Sequence, residues 1–452
     1  MSVLPLSKAV SSLSDRLSQL FDHSQTAGIL QLVEEVSLPP LMSWLAAQQQ
    51  FPKIYWQGRD RYEEVAGVGS CLDLQFAEAV DDEKLLQFYQ QQRSLPRTAD
   101  VRFYGGVAFD RRLESWPEFG RARFLVPRIE LRRCEDKGLL IVNLNLSAQP
   151  LSEQISSAQE ALAALQAAQP LPPPIKTDVQ TRVDIPDFAR WSELVTEVTS
   201  PNFNRDTPKV VLSRQTKLQV AQTPDPWTVL ACWQGRNPTS FQFGFQFSPE
   251  RSFISCTPER LYRRQLNELV TEALAGTTVR GLTEEEDEQL AQQLLDDHKN
   301  SHENQFVGTH IESELRPLSA QVFADEPLKI FKLNHIQHLH RVIKARLRTE
   351  VSDFQLLQAL HPTPAVGGFP KASALQYIAS HEGYTRGWYA GACGFLSSQL
   401  SEFAVAIRSA LLEPGCINLY AGAGILTGSD PVLEWQELEN KLATIMSILV
   451  DF

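Results

Sequence analysis

The stretch "GSDPVLEWQELENK" sets Glu434, Glu437 and Lys441 at i, i+3 and i+7. In a helix, that spacing stacks two carboxylates and an ammonium along one stripe. Ser429 or Asp430 can cap such a helix, Pro431 suits its first turn, and Trp435, Leu438, Leu442 and Ile445 form the adjoining apolar stripe. Read alone, the charged stripe is either a solvated, salt-bridged face or the wall of a site. Upstream, "LLDDHKNSHENQFVGTHI" puts Glu303 on the helix face of Val307 and Ile311, which should look inward. A solvated or ion-paired glutamate is the plainer reading of Glu303 by itself. Two helices that each offer carboxylates suit Mg2+, which takes oxygen ligands and keeps water and substrate oxygens in its shell. No His or Cys stands at ligand spacing for zinc.

Other chemistry-bearing residues are scattered. In "CTPERL", Glu259 follows a strand and either projects from its end into a site or sits in a helix first turn; the earlier copy, Pro249-Glu250-Arg251, reads as a hairpin tip. Lys209 opens "KVVLSR", where a strand-edge lysine is ordinarily exposed. Arg408 sits in "FAVAIRSALL", an otherwise apolar strand, and needs an anionic partner if buried. "HPTPAVGGFPK" carries His361 and Lys371 on a Pro/Gly-rich loop that is a structural turn or a ligand loop. "YAGAGILTG" brings Gly422, Gly424 and Gly428 between a strand and the capped helix. It departs from GxGxxG and lacks a βαβ unit, so it suits a small anion near a helix start better than a dinucleotide.

These residues need a scaffold. "KIYWQG", "VRFYGGVAF", "FLVPRIELRR" and "LLIVNLNL" read as strands, with helices at "DDEKLLQFYQQQR" and from about Glu153 to Ala168. Beyond the connector "QPLPPP" come a helix at "FARWSELVTEVTS" and strands at "KVVLSR", "FISC" and "ELVTEALAG". In "FQFGFQF", Phe241, Phe243, Phe245 and Phe247 share one face at period two, a strand pressed on a core. A single long helix is expected from about Glu284 to Leu315, then strands at "GWYAGACGFL", "FAVAIRSALL" and "INLYAGAGI". Hairpins rather than βαβ units join the strands, so the class is α+β, with large antiparallel sheets flanked by helices. One interlocked domain over 1–452 is expected, its motif-bearing part at about 185–452 and its N-terminal part, about 1–170, intertwined with it.

Composition narrows the partners. The 452 residues carry 42 Lys and Arg against 54 Asp and Glu, a formal charge of −12, which disfavours nucleic acid and anionic membrane. The N-terminus lacks the continuous apolar core of a secretory signal, and no apolar run is long enough to span a bilayer. The six cysteines form no CxxC pair. A soluble, cytoplasmic, reduced protein is expected, as monomer or weak homodimer, whose anionic ligand is held by a few placed cations or a metal.

In order along the chain, "PKVVLSR", "CTPERL", "EALAGT", "DDHKNSHEN", "HPTPAVGGFPK", "RGWYAGACGF", "AIRSA", "YAGAGI" and "GSDPVLEWQELENK" resemble the motifs of chorismate-utilising enzymes, most closely isochorismate synthases of the menaquinone-pathway kind. "SWLAAQQQFPKIYWQGR" also looks like that subgroup. The resemblance implies one α+β domain with a β-sandwich core, and Mg2+ held by Glu303 and Glu437 with Glu434 nearby. It implies Lys209 as general base and Glu259 as general acid. Gly276, Thr277, Tyr389, Arg408, Gly422, Gly424 and Lys441 would line the chorismate site, with His361 by the ring.

Water attack at C2 with loss of the C4 hydroxyl needs a base on one face and an acid on the other. A lysine serves as base when neutral, and an apolar wall keeps a glutamate protonated. Relatives that form a covalent adduct carry a lysine where this chain has Ala275, so no adduct is expected. Lys209 and "HPTPAVGG" favour water over ammonia as nucleophile, while Asn300 replaces an acid that some relatives carry. The competing readings are a salicylate synthase, which would go on to eliminate pyruvate, and a non-catalytic chorismate-binding protein.

Overall fold

The computed structural model describes residues 3–20, 28–77, 87–88, 100–147, 149–173, 176–333 and 336–450, without the side chains of Lys299 and Glu303. Antiparallel strands are hydrogen-bonded into one continuous sheet that folds into two facing layers. One layer runs through Glu268–Val279, Arg260–Gln265, Leu400–Val405, Ala392–Leu396 and Phe103–Val107. The other runs through Lys53–Gln57, Phe241–Ser248, Arg251–Thr257, Ser409–Glu413, Cys416–Ile425 and Lys209–Val220. The long strands Glu63–Phe76 and Ala122–Cys134 pair with each other and with strands of both layers, so the N-terminal part is stitched into the motif-bearing part.

Aromatic side chains fill the space between the layers. Phe241, Phe243, Phe245 and Phe247 are all buried, as their alternation requires. Trp56 stacks on Phe243 with centroids 5.7 Å apart and meets Phe395 of the facing layer edge-on at 5.9 Å. Buried aromatic area of this kind dominates the stabilisation of a core.

Two elements differ from the sequence reading. The expected long helix is two, Glu284–Asp296 and His298–Leu315. Asp297 between them is extended, and its carboxylate accepts the Asn300 N–H at 3.1 Å, ending one helix and capping the next. Charge-rich helical sequence hides such a break because Asp also suits a helix surface. The strand "FAVAIRSALL" is likewise two, Leu400–Val405 and Ser409–Glu413, with Arg408 at φ 48° in the corner between them. The N-terminal helix expected from Glu153 spans Leu151–Ala163. That expected at "DDEKLLQFYQQQR" lies outside the described residues apart from Gln87 and Phe88.

Candidate active site

The strand Lys209–Val220 is interior to its layer, flanked by Cys416–Ile425 on one side and by Val179–Ile185 and Gly368–Phe369 on the other. Lys209 at its start is therefore only 3% exposed, not the solvated edge charge its position in the sequence suggests. A buried ion pair sets this strand. Arg386 donates to Glu382 at 2.7 Å, to the Val211 carbonyl at 2.8 Å and to the Val366 carbonyl at 3.0 Å. Glu382 in turn accepts from both the N–H and the hydroxyl of Ser213 at 2.8 Å.

Lys209 faces a cavity of about 230 Å³ that opens where the chain crosses between the layers. Glu259 lies in that crossover, between Arg251–Thr257 and Arg260–Gln265, and not in a helix first turn. It lines the cavity at 7% exposure, and its carboxyl is pushed up to about 8, chiefly by burial and then by the charge of Glu272. At neutral pH this carboxyl keeps its proton.

The C-terminal helix Pro431–Leu449 starts where expected, with Asp430 accepting the Val432 and Leu433 N–H groups. Leu438, Leu442 and Ile445 are buried, whereas Trp435 is only half-buried, beneath the Arg214 guanidinium at 4.2 Å and edge-on to Trp191 at 6.0 Å. That seat turns Glu434, Glu437 and Lys441 towards the cavity. Lys441 donates to Glu437 and to the Gly422 carbonyl at 2.8 Å, and its charge holds the Glu437 carboxyl below the usual range. Glu434 accepts from Ser429 at 2.7 Å. Arg408 lines the same space and donates to the Lys441 carbonyl at 3.2 Å.

Gly422 and Gly424 line the cavity as well, and a Cβ on Gly422 would come within 2.9 Å of the Tyr389 hydroxyl. The Tyr389 ring is held by stacking on Tyr420 at 4.9 Å. Gly276, at φ 82°, and Thr277 complete the wall; the left-handed backbone at Gly276 sits 3.1 Å, by its ideal Cβ position, from Asn300.

Among the predicted residues whose side chains are described, His361 does not line the cavity. Its Nε2 faces the Ala390 carbonyl at 3.0 Å, and Ala365 and Val366 line the wall from the same loop. Burial pushes the His361 imidazole down to about 3. Residues that sequence reasoning missed include His338, which lines the cavity and shares a 2.9 Å hydrogen bond with Thr277. Burial and the charges of Arg408 and Lys441 push it down to about 3, so it is neutral. Asn304 was missed too: its amide donates to the Ala273, Ala275 and Leu339 carbonyls, fastening the helix His298–Leu315 over the Gly276 corner. A buried Asn in a helix otherwise rich in polar residues gives no signal of that role.

For a metal, Glu434 and Glu437 offer hard oxygen donors one turn apart on one wall. Among the described residues no group of three or more His, Cys, Asp or Glu converges. Two carboxylates with room for water and ligand oxygens match Mg2+ better than zinc. The backbone of Glu303 belongs to the helix His298–Leu315, where Val307 and Ile311 are buried as expected, but its side chain lies outside the described residues.

The family model of chorismate binding enzymes matches residues 15–450. The isochorismate synthase MenF of Escherichia coli is 36% identical over 446 residues, covering 97% of this chain and 99% of that protein. Its namesake from Haemophilus influenzae is 30% identical over 99% of this chain and 97% of its own. The solved structure of the menaquinone-specific isochorismate synthase MenF from E. coli superposes with a TM-score of 0.90 at 35% identity, over 98% of this chain and 99% of that one. An anthranilate synthase component I from Streptococcus pneumoniae shares the fold at TM-score 0.72 and 21% identity, over 85% and 92% of the two chains. Matched along nearly its whole length, the chain belongs to the chorismate binding enzyme family, alongside the isochorismate synthases.

Proposed function

We propose that this enzyme, an isomerase of the isochorismate synthase type, converts chorismate to isochorismate with Mg2+, as a step towards menaquinone. The observation that carries the reading is a buried Glu259, its carboxyl pushed up to about 8, sharing one cavity with Lys209. Lys209 takes a proton from water as its oxygen attacks C2. The ring π electrons shift and the C4–O bond breaks. Glu259 gives its proton to the departing hydroxyl, which leaves as water. Hydroxyl is thereby moved around the ring with no net gain or loss of atoms.

Chorismate is a dianion, and an acidic protein holds it by local cations. Arg408 and Lys441 bind its carboxylates, Gly422 and Gly424 let backbone approach the ligand, and Tyr389 and Thr277 position it. Glu434 and Glu437, together with Glu303 as the resemblance implies, would hold Mg2+, which would supply positive charge to a substrate carboxylate. Ala275 leaves no amine for a covalent adduct, and Lys209 with the "HPTPAVGG" loop favours water over ammonia as the nucleophile.

Incubating pure protein with chorismate and Mg2+ and resolving the products by chromatography tests the proposal. Isochorismate in equilibrium with chorismate is expected. Accumulation of salicylate and pyruvate would instead show a lyase, and bound but unconverted chorismate a binding protein.

A further inference from the structure

Behind the cavity wall lies a buried cluster that does not line the cavity itself. Glu272, in the strand Glu268–Val279, has a side chain 2% exposed and accepts both prongs of Arg59 at 2.7 and 2.8 Å. It also faces His340 Nε2 at 2.9 Å and accepts the Arg260 N–H at 3.0 Å. Arg59 follows the strand Lys53–Gln57 and is wedged against Phe331, 4.8 Å from the ring centroid. Its Nη1 makes a second bond, to the Pro258 carbonyl at 2.7 Å.

These bonds close on the two peptide groups that flank Glu259. In the entering peptide, the Pro258 carbonyl is held by Arg59 and the Glu259 N–H by the Thr257 hydroxyl at 3.3 Å. In the leaving peptide, the Arg260 N–H is held by Glu272 and the Glu259 carbonyl by the Val405 N–H at 3.0 Å. All four polar atoms are engaged, two of them by one ion pair. Because the two peptide planes are fixed, the Cα–Cβ direction of Glu259 is fixed with them. A surface turn does not need a bidentate, buried arginine for that purpose, since isolated pairs of this kind add little net stability.

We propose that Arg59 and Glu272 are positioning residues for the reaction: the pair clamps both peptide planes around Glu259 and aims its carboxyl at the leaving hydroxyl. His340 completes the set of donors around Glu272. The inference rests on Glu259 being the general acid. The ionised Glu272 is also the second cause, after burial, of the raised Glu259 carboxyl.

The test is steady-state kinetics of the full chain at saturating Mg2+, with thermal melts alongside. Misplacement of an acid by about 1 Å costs roughly 100-fold. Arg59→Ala is expected to lose about that in kcat while KM for chorismate stays within about threefold, and added guanidinium should restore part of kcat. Arg59→Lys keeps the charge without the fork and should still lose about tenfold. It also gives the answer if Arg59→Ala does not fold. Full kcat in Arg59→Lys, a parallel loss of kcat and substrate binding, or no response to guanidinium would each overturn the clamp. Glu259→Gln separates the two claims. If it is inactive while a folded Arg59 variant keeps kcat, the acid stands and the clamp falls. If Glu259→Gln itself keeps kcat, the acid assignment fails and takes the clamp with it.

Discussion

Glu259 trades stability for reactivity. Its carboxyl rests at about 8 in the fold against an ordinary 4.5, so the folded chain keeps a proton that the unfolded chain releases. The resulting stability is fully present below the ordinary value and is lost as pH rises towards 8. The Glu259→Gln protein should therefore melt higher than the parent at pH 9, with the gap narrowing or reversing at pH 4, while its turnover is abolished. In the parent, kcat/KM should fall on the alkaline side as pH passes through about 8, because the acid of the free enzyme has lost its proton. Melts and a pH–rate profile check both halves, and a rate that keeps rising beyond that pH would remove Glu259 from the mechanism. Glu437 makes the complementary prediction. Losing even an outer-shell partner of a metal weakens binding by roughly 10–100-fold, so Glu437→Gln should raise the Mg2+ concentration for half-activation by at least about tenfold.

At the scale of elements, the strand carrying Lys209 is held from behind by Glu382 and Arg386. Removing one partner leaves the other charge buried and alone, at a cost of about 3–5 kcal/mol. Glu382→Ala should lower the denaturation midpoint accordingly, and a loss below about 1 kcal/mol would show that the pair is dispensable. The glycine strand opposite is a matter of space rather than charge. Gly422→Ala would drive a methyl against the Tyr389 hydroxyl. A higher KM for chorismate is expected, with some loss of thermal stability as the stacked Tyr389 ring gives way, and an unchanged KM would place the substrate elsewhere.

Over the whole molecule, the strands Glu63–Phe76 and Ala122–Cys134 tie both layers into one hydrogen-bonded sheet. Unfolding should accordingly be a single cooperative transition in denaturant, with fluorescence and circular dichroism coincident. Separate transitions for the N-terminal and motif-bearing parts would refute one domain. The formal charge of −12 sits on this same body, yet Lys209, Arg408 and Lys441 gather at one cavity. Net charge described the surface and was silent about the site.

What the amino-acid order determined by itself were the local elements and their chemistry. The Phe241–Phe247 alternation, a cap at Ser429 or Asp430 and the Glu434, Glu437 and Lys441 stripe are set by period and by nearest neighbours in the chain, so they could be read directly. The ordered motifs added which residues belong together, though not where each would stand. Only the tertiary structure decided that Lys209 is interior, that His361 turns to a backbone carbonyl, and that Asp297 and Arg408 break a helix and a strand. Arg59 and Pro258 meet across 199 positions, and burial of Lys209, Glu259 and Glu272 depends on how two sheet layers close. No local pattern encodes such contacts, because burial and long-range ion pairing belong to the packed whole.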